Sequence, residues 1–155
     1  MEEIKIELTF KRIKTADLPE EDCRLRDAAI GAARRAYAPY SQFNVGAAVL
    51  LNDGTVVEGN NQENIAYPSG LCAERVALFA AGATFPDTPV VAIAIAAIKN
   101  GEIQSAIAPC GGCRQVMLES EKRYGQPVRI HLCGRDETFI IASAGDLLPM
   151  AFEML

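Results

Sequence analysis

Apolar residues recur along this chain with two periods, and the points where the period changes divide it into elements. Residues 3 to 10 alternate polar and apolar, which suits a short edge strand or an extended arm. From Leu18 the period lengthens. Cys23, Leu25, Ala28, Ala29, Ala32, Ala33 and Ala36 fall at helical spacing, predicting a helix over 18–37. Pro19 suits its first turn, Glu20, Glu21 and Asp22 favour its positive end, and Pro39 stops it. Residues 45–51 and 55–58 read as a hairpin, because Asp53-Gly54 supplies the positive dihedrals of a tight turn. After a polar loop, 72–81 forms a second helix ended by Gly82. Residues 90–98 (V-V-A-I-A-I-A-A-I) form a strand apolar on both faces, hence central in a covered sheet. Residues 104–108 are a strand or loop, 110–124 a third helix and 128–133 a strand. Residues 138–142 form a further pairing segment, and a last helical turn lies at 146–149.

A hairpin followed by alternating helix and strand predicts an α/β fold: a three-layer α/β/α sandwich around a mixed sheet of about five strands. The 155 residues suffice for one domain with a substantial core and too few for two. Residues 1–155 therefore read as a single domain, with 1–17 as an N-terminal arm or edge strand.

Charge narrows the partners. The net charge is −5 and the acids are spread, with Arg34-Arg35 and Lys122-Arg123 as isolated basic pairs. A nucleic-acid polymer normally requires a basic stripe, so a small, weakly charged ligand fits better. The N-terminal residues lack the basic start and apolar stretch of a secretory signal. The longest apolar run, 90–98, is half a membrane span. A cytoplasmic protein with no membrane partner is expected. Five cysteines, an odd number, then argue for metal or catalysis over disulfides.

Two segments carry candidate chemistry: Cys72-Ala73-Glu74-Arg75 and Pro109-Cys110-Gly111-Gly112-Cys113. Each lies where a loop or strand feeds a helix. Cys110 and Cys113, three apart, share a helix face, and the free N–H groups of a first turn stabilise thiolates there. A third thiolate from Cys72 gives a three-sulfur site, which leaves a tetrahedral zinc ion one position for water. Glu74 reaches the same ion only if Cys72 precedes regular winding, and it then serves as a proton carrier. Three thiolates leave the cluster negative, so Arg75, Arg114 or both are expected to donate hydrogen bonds to sulfur. Two other readings use the same residues. Cys110 and Cys113 can form a thioredoxin-like redox pair. Alternatively the zinc is structural, with Cys133 or His131 as fourth ligand.

The chain resembles the small, homotetrameric, three-cysteine class of cytidine deaminases. The match is carried by both cysteine motifs, by Phe43-Asn44-Val45-Gly46-Ala47-Ala48, by Asn61-Gln62-Glu63-Asn64 and by Leu147-Leu148-Pro149. It covers about residues 20–152. The resemblance implies hydrolysis of free cytidine and deoxycytidine to uridine and deoxyuridine with release of ammonia, in pyrimidine salvage. Zinc-bound hydroxide attacks while Glu74 shuttles protons, with one zinc per chain on Cys72, Cys110 and Cys113. It also implies that Asn61 and Glu63 hold the ribose 3′-hydroxyl and that Phe43 packs on the pyrimidine. The Ala73 amide faces the 2-oxo group, and Phe152 reaches a neighbouring subunit's pocket in a homotetramer. A deaminase of a modified nucleoside such as blasticidin S shares the zinc chemistry; the Asn61–Asn64 loop favours the ordinary nucleoside.

Overall fold

The computed structural model of the chain describes residues 1–152. Its strands are β1 (Lys11–Lys14), β2 (Phe43–Leu51), β3 (Val56–Asn60), β4 (Val90–Lys99), β5 (Glu102–Ile103), β6 (Arg129–Cys133) and β7 (Glu137–Ile141). Its helices are α1 (Glu20–Ala33), α2 (Ala73–Thr84) and α3 (Gly111–Tyr124). The strands form one sheet in the order β1-β7-β6-β4-β2-β3, with β5 paired to β4. Only β4 and β6 run parallel, so the sheet is mixed. The sheet has seven strands, correcting the expected count of about five. The two strands beyond the five are β1, an edge strand within the 1–17 stretch read as arm or edge strand and three-quarters basic (K-R-I-K), and the two-residue β5, which has no apolar pattern to reveal it.

Three layers result from the way β4 distributes its side chains. Ala92, Ala94 and Ala96 face α1, where Leu25, Ala29 and Ala33 pack on them. Ile93 and Ile95 face the opposite way, with Val49 and Ile130, against Ala77 and Leu78 of α2 and Met117 of α3. Small residues on the first face let α1 sit close. A Cβ on Gly46 of β2 would lie 2.0 Å from the Ala29 carbonyl oxygen. On the other face, a Cβ on Gly59 of β3 would lie 2.4 Å from the Ala77 nitrogen. Each helix is thus seated on a glycine that no larger residue can replace without displacing it.

Two helix ends differ from the expected bounds. α1 stops at Ala33, because Tyr37 leaves the helix to exchange backbone hydrogen bonds with Asn61 and Glu63 (3.1 and 2.8 Å). α2 runs through Gly82 to Thr84 and ends just before Pro86, whose ring disfavours helical geometry in the residue preceding it. The helix-breaking tendency of one glycine, about 1 kcal/mol, is outweighed by the packing of α2 on the sheet. Among the described residues, no helix is long and apolar enough to cross a membrane.

Candidate functional site

α2 precedes β4 and α3 precedes β6. Because those strands are parallel neighbours, the two helices lie side by side on one face with their N-termini at the same end. That topology brings together residues 38 positions apart. Cys72 and Cys110 are the N-caps of α2 and α3, both extended (φ −69°, ψ 151° and φ −67°, ψ 164°), so each sulfur precedes the regular winding. The Cys72 and Cys110 sulfurs are 4.0 Å apart, and those of Cys110 and Cys113 3.5 Å. All three lie within 4.8 Å of one another. Tetrahedral zinc with bonds of about 2.3 Å sets its sulfurs roughly 3.8 Å apart, so the separations suit that ion. No disulfide joins any of the five cysteines.

The electrostatics call for a cation in the same place. Burial, then the Glu74 carboxylate and the neighbouring sulfurs, push the Cys113 thiol far above its ordinary range. Glu74, only 4 % exposed, is itself raised by burial, an effect opposed by its own backbone amide, Cys113 and Arg75. Three thiols and a carboxylate crowded this way are mutually unfavourable as anions, and a bound dication reverses that balance. The donor set fits one zinc ion per chain.

Of the two arginines expected at the sulfurs, Arg75 is there: its Nη2 donates to Cys72 Sγ at 3.4 Å. Arg114 is directed elsewhere. Its Nε donates to the Pro109 carbonyl (2.9 Å) and its Nη1 to that of Leu147 (2.8 Å), bracing the approach to Cys110 against the C-terminal segment. Its position beside Cys113 in sequence does not bring it to the metal ligands, because the Pro109 and Leu147 carbonyls take its donors. The proposed fourth ligands also lie elsewhere. Cys133 packs on the α1 side of the sheet, and among the described residues neither it nor His131 joins the cysteine group.

Beside the cluster opens a cleft of about 470 Å³, with Cys72 and Arg75 at one end and Asn61, Glu63, Tyr40 and Tyr67 among its walls. Asn61 is fixed to the start of β2: its Oδ1 accepts from Val45 N (2.8 Å) and its Nδ2 donates to Phe43 O (3.0 Å). Glu63 accepts from the Tyr40 and Ser41 amides (2.8 and 3.2 Å) and from the Ser41 hydroxyl. The Ser41 hydroxyl holds its carboxyl below the usual range against burial, with the Tyr40 and Ser41 amides adding to the effect, so it presents a fixed negative charge. Phe43 is half-buried at the head of β2, and Ala73 is fully buried in the first turn of α2. Phe152 lies away from these walls and is 93 % exposed; Gln115 holds only its backbone, at 3.1 and 3.3 Å. Tyr40, Ser41 and Tyr67 were not foreseen as wall residues. The one sequence signal for them was the Pro39 turn and the polar loop in which they lie.

Comparison with known proteins agrees with this geometry. The family profile of the cytidine and deoxycytidylate deaminase zinc-binding region matches residues 19–124. A cytidine deaminase of Mycobacterium tuberculosis is 41% identical over 139 residues, covering 87% of this chain and 92% of that one. One from Halalkalibacterium halodurans is 50% identical over 91 residues, 59% of this chain and 65% of its own length. The crystal structure of cytidine deaminase from Burkholderia pseudomallei superposes with a TM-score of 0.70 at 43% identity, covering 84% of this chain and 98% of that one. The chain belongs to the cytidine and deoxycytidylate deaminase family. Neither a thioredoxin-like redox pair nor a blasticidin S deaminase finds support in these matches.

Proposed function

We propose that this protein is a zinc-dependent cytidine deaminase, hydrolysing free cytidine and deoxycytidine to uridine and deoxyuridine with release of ammonia in pyrimidine salvage. The observation that carries the reading is the convergence of Cys72, Cys110 and Cys113 beside a buried Glu74, at the end of a cleft sized for a small molecule. What zinc supplies when bound is a water molecule acidic enough to act as a nucleophile near neutral pH. The three thiolates hold the ion. Arg75, hydrogen-bonded to Cys72, offsets their surplus negative charge and so lessens its opposition to ionisation of that water. Glu74 would take one proton from the water and deliver it to N3 of the base. It would then take the water's second proton from the oxygen now on C4 and deliver it to the departing amine. Its burial suits it to this exchange, because a raised pKa makes the carboxylate a better proton acceptor.

Asn61 and Glu63 bind the ribose 3′-hydroxyl, Phe43 packs against the pyrimidine, and the Ala73 amide meets the 2-oxo group. Phe152, exposed among the described residues, completes a pocket in a neighbouring subunit of a homotetramer. Arg114 supports the Cys110 loop through the Pro109 carbonyl. The protein works in the cytoplasm, on a free nucleoside and without a nucleic-acid polymer or membrane partner. Residues 1–155 act as one domain with 1–17 as its arm, although 153–155 lie outside the described residues. The test is ultraviolet monitoring of cytidine with and without a zinc chelator: conversion to uridine is expected, abolished by the chelator and restored by zinc. Conversion that survives complete metal removal refutes the reading. For the ribose contact, Glu63→Ala should impair cytidine far more than free cytosine, and equal losses refute that assignment.

A further inference from the structure

Residues 1–10 have no regular structure, and among the described residues no backbone hydrogen bond joins them to the rest of the chain. They lead directly into β1, the edge strand of the sheet. Ile4, Ile6, Leu8 and Phe10 are all exposed, and between them Glu3, Lys5, Glu7 and Thr9 supply the other face of a period-two pattern. Leu8 and Phe10 border a cleft of about 230 Å³ whose opposite wall includes Leu132, Phe139 and Leu147. This segment also lies outside residues 19–124, the stretch matched by the family profile. An amphipathic, extended segment with an unpaired backbone at a sheet edge is a ladder lacking its partner strand.

The charges say which partner fits. We propose that residues 3–9 pair antiparallel with the same residues of a second copy, in the register that sets Ile6 opposite Ile6. In that register Lys5 of each chain faces Glu7 of the other, twice by symmetry, and Ile4 faces Leu8. Centring the pair on Lys5 opposes Lys5 to Lys5 and Glu3 to Glu7. Centring it on Glu7 opposes two glutamates. A one-residue slip sets apolar positions against charged ones, and a parallel pair in register opposes every charge to itself. Centring on Ile4 also pairs Glu3 with Lys5 but sets Glu2 against Ile6, so the Ile6-centred pair alone both matches the central charges and opposes apolar residues to apolar ones. It also carries the second copy's Ile4 to Leu8, at the mouth of the 230 Å³ cleft, where an aliphatic side chain fills apolar space. The pairing is independent of the chemistry proposed above, and it gives the arm a function: it fastens two chains about a two-fold axis.

The test uses the full-length zinc-loaded protein. Directly opposed residues of an antiparallel pair lie about 4.5–5.5 Å apart, within disulfide reach. Under mild oxidation Ile6→Cys should link chain to chain in high yield. Ile4→Cys and Leu8→Cys should link poorly when each is alone and well when mixed. Equal linking at all three positions, or none at Ile6→Cys, overturns the register. A second measurement is the dissociation constant of the assembly by sedimentation. Lys5→Glu should weaken it roughly tenfold, as two attractive pairs become repulsive, and Lys5→Glu/Glu7→Lys should restore it. If the double variant is no tighter than the single one, the arms do not pair in this way.

Discussion

The two faces of the sheet each bury ionisable groups, and they bury them differently. On the α1 face, Asp22 accepts from Arg129 Nη2 at 3.0 Å and lies 3.7 Å from His131 Nε2, which itself accepts from Arg129 Nε at 2.8 Å. The buried Asp22 and the exposed Glu21 (3.5 Å) share the Arg129 guanidinium, and a neutral imidazole completes the set. Burial, with Arg129 adding to it and Asp22 opposing, lowers the His131 pKa and keeps the ring uncharged. The one buried carboxylate on this face has its counter-charge within the protein. On the α2/α3 face, three thiols and Glu74 crowd together, and among the described residues the cation hydrogen-bonded to them is Arg75. Burial of a charged residue is therefore not what distinguishes a reactive site in this molecule. An uncompensated excess of one sign is.

The comparison is broken most decisively at Glu74. Glu74→Ala should keep its zinc yet lose deamination by about 10²–10⁴-fold, read by metal analysis beside the ultraviolet assay. A variant with full activity would remove Glu74 from the chemistry. Next come the two glycines that seat a helix on each face. Gly46→Ala and Gly59→Ala should each lower stability by about 1–3 kcal/mol or more, because the new Cβ meets backbone that cannot yield. The Gly59 variant displaces α2, which carries Cys72 and Glu74, and should also lose zinc affinity. The Gly46 variant displaces α1 and should bind zinc normally once folded. Equal zinc loss in both would mean that the faces are not separable.

The smallest effect lies at His131. Its folded-state pKa is depressed below the ordinary 6.5, so the unfolded chain takes up the proton first. The stability it contributes is complete above that value and declines as pH falls below it, by at most about 1.4 kcal/mol per pH unit. His131→Gln should flatten this part of the Tm–pH curve, while an unchanged slope would assign the dependence to other groups.

What the sequence made legible follows the same division. The metal centre could be read because both its halves are local: a cysteine before a helix start, with its neighbours at fixed spacing, carries its geometry with it. The hairpin was equally local, with Asp53 accepting from the Thr55 amide (2.9 Å) around Gly54 at φ 88°. The α1-face cluster was not legible. Asp22 reads as one of three first-turn acids, and its partner Arg129 is 107 positions away with no motif to join them. Within 1–17, read as arm or edge strand, the position of β1 was not legible, since its membership of the sheet is decided by the pairing of Lys11 through Lys14 with β7 and not by its own largely basic pattern. Arg114 misled for a related reason. Sequence adjacency to Cys113 said nothing of the Pro109 carbonyl five residues back or the Leu147 carbonyl 33 residues on that it binds.

The separation of Cys72 from Cys110 has a consequence for how the protein is made. On a ribosome the first thiol emerges long before the other two, and β4 must be laid down between them. Until the third helix has docked, a nascent chain offers an ion one sulfur and then two strangers, none of them held in register. Loading is thus a late event of biosynthesis, and a chain truncated before residue 113 would leave the ribosome without a complete cradle for its metal.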